Sequence, residues 1–99
     1  MTAIMPYLEA AVQAGSSDIF ILAGQPLRFK INGAIVKQGE ALLMPPRTEA
    51  LLREIYSLAG REMQVFLSQG DDDFSFSIAG LSRFRVSAYR QRGSWAAVI

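Results

Sequence analysis

Residues 71–91, DDDFSFSIAGLSRFRVSAYRQ, decide the fold. Two runs of period-two alternation flank a short turn signal, so the stretch reads as an antiparallel hairpin. Its register follows from requiring the apolar faces of both strands to coincide, because a one-residue slip carries every side chain to the wrong face. A three-residue loop, Ala79 to Leu81, meets that requirement. Phe76 then faces Phe84 and Phe74 faces Val86. On the opposite face Ser77 meets Arg83, Ser75 meets Arg85 and Asp73 meets Ser87. Arg83, Arg85, Ser87 and Gln91 thus share one face, away from Phe84, Val86 and Ala88. Two like charges pointing the same way are mildly unfavourable unless something negative meets them.

Downstream, residues 92–94 turn into a last strand, WAAVI. Upstream, "REMQVFLSQG" reads as a helix of about two turns with Met63, Phe66 and Leu67 inward and Gly70 as its stop. "PPRTEALLREIYSLAG" is a longer helix, with Thr48 as N-cap, an apolar stripe of Leu51, Leu52, Ile55, Tyr56 and Ala59, and Gly60 at its end. The first half contains a second hairpin, "LRFKINGAIVKQ", whose Asn32-Gly33 turn pairs Ile31 with Ala34, Phe29 with Val36 and Arg28 with Lys37. Leu27, Phe29, Ile31 and Val36 are expected in the core, and Arg28, Lys30 and Lys37 form a basic cluster on the other side. Before it, residues 18–22 form a strand closed by the turn signal "AGQP". Residues 2–14 form an amphipathic helix, with Thr2 as N-cap, Ile4, Leu8, Ala11 and Val12 at helical spacing, and Gly15 as its stop. The order α-β-β-β-α-α-β-β-β predicts an α+β domain, an antiparallel sheet of about six strands with about three helices on one face.

A chain of 99 residues suits one compact domain. It is 51% hydrophobic and 19% charged with net charge +1, which disfavours nonspecific nucleic-acid binding. No cysteine or histidine is present, which removes disulfides, thiolate or imidazole metal sites, and any triad built on those side chains. The N-terminus lacks a signal-peptide pattern and no apolar run reaches a membrane span, so a cytoplasmic protein is expected.

There is no GxxxxGK[ST] loop, no GxGxxG and no spaced carboxylate pair, so no catalytic residue is assigned within the chain. The acidic run at 71–73 reads as a solvated turn rather than a magnesium site, leaving Asp73 free to approach Arg85. For the arginines, one reading is an exposed face with loose pairing to Asp73 or Glu40. The other is an edge that reads anions, since guanidinium forks onto phosphate oxygens. Arg28 opposite Lys37 favours the second, because that pair calls for an outside anion.

"GSSDIFILAGQPLRFKINGAIV", the helical segment that follows, and "DDDFSFSIAGLSRFRVSAYRQRGSWAAVI" resemble the N-terminal domain of the type IV pilus retraction ATPases, the PilT-type twitching-motility motors of the secretion ATPase superfamily. The marks of the resemblance are Ser17-Asp18-Ile19, Gly24 and Pro26, Asn32-Gly33, "DFSF" at 73–76 and "RFRVSAYRQ" at 83–91. The resemblance implies a PAS-like domain over residues 1–99, followed by a RecA-like P-loop ATPase domain in a homohexameric motor. It implies ATP and magnesium as cofactors of that parent protein, none being expected for the fragment alone. Arg85 matches the position that approaches the ATP phosphates, with Arg83 the secondary candidate. The implied partners are the protein's own C-terminal ATPase domain, that of a neighbouring subunit, and the inner-membrane machinery at the pilus base, on its cytoplasmic side. Phe20 stands where such proteins commonly carry histidine, which points to a buried or interface aromatic there.

A free-standing PAS-like module for a ligand or partner protein is the alternative, and it calls for an apolar cavity of roughly 300 Å³ or more. The sequence instead supplies Phe29, Phe66, Phe74, Phe76 and Phe84 to fill that space. A nucleic-acid binder ranks last, since only Tyr89 lies among the basic residues of the final hairpin as a stacking aromatic.

Overall fold

A computed structural model describes residues 3–99 of the chain. The elements run α1 (Met5–Ala14), β1 (Asp18–Ile21), β2 (Arg28–Ile31), β3 (Ala34–Lys37), α2 (Pro45–Ala59), α3 (Gln64–Gln69), β4 (Asp71–Ile78), β5 (Ser82–Gln91) and β6 (Ser94–Val98). The six strands form one antiparallel sheet in the order β3-β2-β1-β6-β5-β4, and the α+β reading holds.

Both hairpins adopt the register that side-chain patterning requires. Phe76 pairs with Phe84, Phe74 with Val86 and Ser75 with Arg85, across a loop at 79–81. Ile31 pairs with Ala34 and Arg28 with Lys37 across Asn32 and Gly33, whose φ values of 50° and 80° are those of a primed two-residue turn. Arg92 and Gly93 repeat that turn between β5 and β6. The last strand then folds back between the halves, pairing Ala97 with both Ala88 and Ile21.

One face of the sheet carries Ile19, Ile21, Phe29, Phe76, Phe84, Val86, Ala88, Trp95 and Ala97, all buried with Leu8, Leu51, Leu52, Ile55 and Phe66 from the helices. Phe66 meets Trp95 edge-on at 5.1 Å, and Tyr56 stacks obliquely on Phe74 at 4.7 Å. The phenylalanines fill the space between sheet and helices.

Several expectations need correction. Helix α1 begins at Met5, with Pro6 in its first turn, and Thr2 lies outside the described residues. Val12 faces away from the core and is 37% exposed. Helix α2 starts three residues before Thr48, because Pro45 and Pro46 have φ preset for the first turn and their missing N–H groups would be unpaired there anyway. Thr48 is buried and donates its hydroxyl to the Pro45 carbonyl at 3.0 Å. Leu67 is exposed, its carbonyl taken by Arg90. Strand β3, Val36 included, is exposed throughout, because it is the outer strand of the sheet and helices α2 and α3 pack on β6 and β4.

The acidic run is the largest departure. It is the start of β4, and Asp72, on the face of Phe74 and Phe76, is 7% exposed. Arg61 donates to both its oxygens, from Nε at 2.8 Å and Nη2 at 2.7 Å, and Tyr56 donates its hydroxyl at 2.9 Å. This forked hydrogen bonding from Arg61 holds the Asp72 carboxyl below the usual carboxylate range, against burial, which acts the other way. Burial in turn pushes the Tyr56 phenol up, with the Asp72 hydrogen bond acting in the same direction.

Stability from this clasp is present above the ordinary carboxylate pKa of about 4 and is lost as pH falls through the depressed folded value. Asp72→Asn should therefore melt well below the parent at pH 7, with the gap narrowing by about pH 3. Arg61→Ala should lower the melting temperature more than an ordinary surface substitution does, because it leaves the buried Asp72 carboxylate without its forked partner. Thermal melts at both pH values check the pair, and equal gaps at the two would count against the clasp.

Candidate functional site

The face of the sheet opposite the helices is only partly covered by its own side chains. Strand pairing sets the rows across it: Lys37, Arg28, Phe20, Val98, Ser87 and Asp73 form one, and Lys30, Asp18, Arg85 and Ser75 lie on the next. Phe20 is half-buried beside Val98, and Ala96 is buried, so the middle of this face is apolar. Basic groups flank it on both sides.

Arg83 and Arg85 stand on β5 opposite Ser77 and Ser75, both exposed, with Phe84 and Val86 facing the core between and beside them. They line a groove of about 470 Å³, with Ser16, Ser17, Asp18 and Ser87 among its other walls. Among the described residues neither arginine forms an ion pair. The expected loose partners are otherwise placed: Glu40 pairs with Lys37 at 3.4 Å, and Asp73 makes no salt bridge with Arg85.

The basic cluster of the first hairpin is only partly met from within the domain, and Lys37 alone of its three members forms an ion pair. Arg28 donates to the Gln25 side chain and Lys37 to Glu40, while Lys30 stands opposite Asp18. Arg83 and Arg85 are the cations of the open face that line the groove. Among the described residues no group of three or more carboxylates comes together to hold a metal ion.

Arg90 on the final hairpin and Arg53 on α2 serve packing. Arg90, on the helix-side face, donates to the Leu67 carbonyl at 2.9 Å and lies over Phe66 at 5.6 Å, which fastens α3 to β5. Arg53 lies over Trp95 at 4.9 Å. Sequence reasoning missed the Asp72 clasp, although a signal existed: Asp72 is two residues before Phe74 and shares its face, and a buried tyrosine hydroxyl needs a partner.

No family model matches the chain. Two type IV pilus ATPases of Pseudomonas aeruginosa do: PilU, 33% identical over 85 residues, and the retraction ATPase PilT, 32% identical over 95 residues. These alignments cover 86% and 94% of this chain but 22% and 27% of the relatives. Among solved structures, the pilus retraction motor PilT with bound ADP superposes with a TM-score of 0.80 at 33% identity, over 99% of this chain and 28% of that one. The Legionella pneumophila ATPase DotB shares the fold at 24% identity, with a TM-score of 0.71. The chain is a homologue of the type IV pilus ATPases and has the fold of the N-terminal domain of such motors. It spans about a quarter of the length of the relatives it matches.

The geometry predicts unequal stability effects for two arginines on one strand. Arg85→Ala should change folding stability by less than about 1 kcal/mol, as exposed positions do. Arg90→Ala should cost about 1–2 kcal/mol through a lost carbonyl contact and lost cover over Phe66. Urea unfolding of the two variants checks this, and a larger loss for Arg85→Ala would contradict the placement.

Proposed function

We propose that this chain is the nucleotide-covering N-terminal domain of a hexameric type IV pilus retraction or secretion motor. A RecA-like P-loop domain follows it in the parent protein and hydrolyses ATP with magnesium. The reading is supported by homology to pilus ATPases together with one structural observation: two adjacent strand arginines stand without ion pairs beside a groove on the uncovered face. Arg85, with Arg83 behind it, meets the ATP phosphates at the junction with the chain's own ATPase domain or a neighbour's. A guanidinium there offsets phosphate charge as it develops in the transition state. The apolar middle of the face, with Phe20, provides the interdomain contact. The motor works on the cytoplasmic side of the inner membrane, docked to the pilus machinery, and the domain is PAS-like in architecture.

The domain contributes charge and contact but no chemistry of its own. An arginine pair lacks the backbone amides that cradle phosphates, so residues 1–99 alone should bind ATP more weakly than about millimolar. Micromolar affinity by calorimetry would contradict this. In the parent motor, Arg85→Ala should reduce ATP turnover by roughly a thousandfold. Arg85→Lys should not restore it, because lysine keeps the charge and loses the fork. Arg90→Ala, on the other face, should retain most activity. Parental turnover in Arg85→Ala would overturn the phosphate role.

A further inference from the structure

Two tight turns of the sheet share a backbone and differ in sequence. Among the described residues, Asn32 and Arg92 are the non-glycine residues at positive φ, 50° and 53°, and a glycine follows each. Asparagine tolerates the left-handed region because its short polar side chain bonds back to the chain, and arginine has no such compensation. The first hairpin therefore carries the residue its turn prefers, and the turn between β5 and β6 does not. A disfavoured residue held in such a turn points to a use for its side chain.

Arg92 borders a pocket of about 350 Å³ at one end of the open face, whose other polar walls are Gln25, Gln91 and Ser94. Ala96, on the same face as Gln91 and Ser94, is too small to fill it. The fold fixes both sides of this recess. Gln91 pairs with Ser94 across the turn. Opposite them, the Gln25 backbone carbonyl accepts from the Leu43 N–H at 2.8 Å, and its side-chain oxygen accepts from Arg28. The second bond commits the amide oxygen and leaves the Gln25 NH2 group as the end free to donate. No carboxylate lines the pocket, and among the described residues Arg92 forms no ion pair. A guanidinium, two amides and a hydroxyl thus meet with a surplus of donors and one uncompensated positive charge.

We propose that this recess binds a small polar molecule through an oxyanion head group, phosphate or carboxylate. Arg92 forks onto two oxygens of the head group, and the Gln25 amide and Ser94 hydroxyl donate to it as well. The pocket has the size of a small organic ligand rather than of a bare ion, so a hydroxyl-bearing body accompanies the head group and meets the Gln91 amide. Sugar phosphates and polyhydroxy acids have that chemistry. Six residues of β5, at about 3.3 Å each, separate Gln91 from Arg85, so the site goes beyond the function proposed above and does not rest on it.

The test is an NMR titration of residues 1–99 that follows the backbone amides of residues 91–96 and the side-chain amides of Gln25 and Gln91. Inorganic phosphate is compared with glucose 6-phosphate, and acetate with gluconate, each against sodium chloride at equal ionic strength. At least one organic anion should give saturating shifts at these groups and bind about tenfold or more tightly than its bare head group, and the pair that does so identifies phosphate or carboxylate as the head group. Arg92→Asn should weaken that binding by about tenfold or more while raising Tm by a few degrees, because it restores the residue the turn prefers. The higher Tm separates lost binding from lost folding. Arg92→Lys, which keeps the charge without the fork, should bind more weakly than the parent. Shifts no greater than those with chloride, shifts centred on Arg83 and Arg85 instead, or unchanged binding in Arg92→Asn would overturn the proposal. A Tm of Arg92→Asn below the parent would show that arginine serves the turn itself and overturn it equally.

Discussion

The requirement that β4 and β5 present one shared apolar face governs this structure. Phe74, Phe76, Phe84 and Val86 can enter the core together only in the observed register. That register sends Arg83 and Arg85 to the opposite side. It also sends Asp72 inward, at the edge of the core, where an unpaired carboxylate would be costly. The forked bond from Arg61 and the Tyr56 hydroxyl follow from that placement. One hairpin thus places both the buried carboxylate that Arg61 meets and the exposed cationic pair.

The domain sorts its arginines by face. On the helix side, Arg53, Arg61 and Arg90 each lie over an aromatic ring, and Arg61 and Arg90 also fork or reach onto oxygen acceptors. On the open side, Arg28 is held by Gln25. Lack of an ion pair alone singles out nothing, since Arg47 and Arg92 also have none among the described residues. What distinguishes Arg83 and Arg85 is their repetition on one strand face beside a groove. The function proposed above would put that arrangement on the nucleotide side of a motor.

Much of this was legible in the sequence, wherever local rules act alone. Asn32-Gly33 dictates a two-residue turn, and matching apolar faces fix the second hairpin, so both registers follow from the residues. The placement of Arg83 and Arg85 on one exposed face followed as well. The junction of β1 with β6 was not legible, because it joins residues about eighty apart and no turn specifies it. Val36 and Leu67 carried the right pattern but lie where no layer reaches them, and periodicity cannot reveal where cover ends. Asp72 was misread because a run of three carboxylates resembles a solvated turn. Its alternation with Phe74 outweighs composition once Arg61 is available to meet it.

The central claim is that the open face of the sheet, not the helix side, meets the nucleotide. The chain contains no cysteine, so a single one can carry a spin label without competition within this domain. In the assembled parent protein, with its other accessible cysteines removed and manganese bound with the nucleotide, the decisive quantity is the distance from that ion to a nitroxide. Labels at Ser87→Cys and Leu67→Cys sit on opposite sides of the domain. The account predicts the shorter distance from Ser87. A shorter distance from Leu67 would put the nucleotide behind the helices and contradict it.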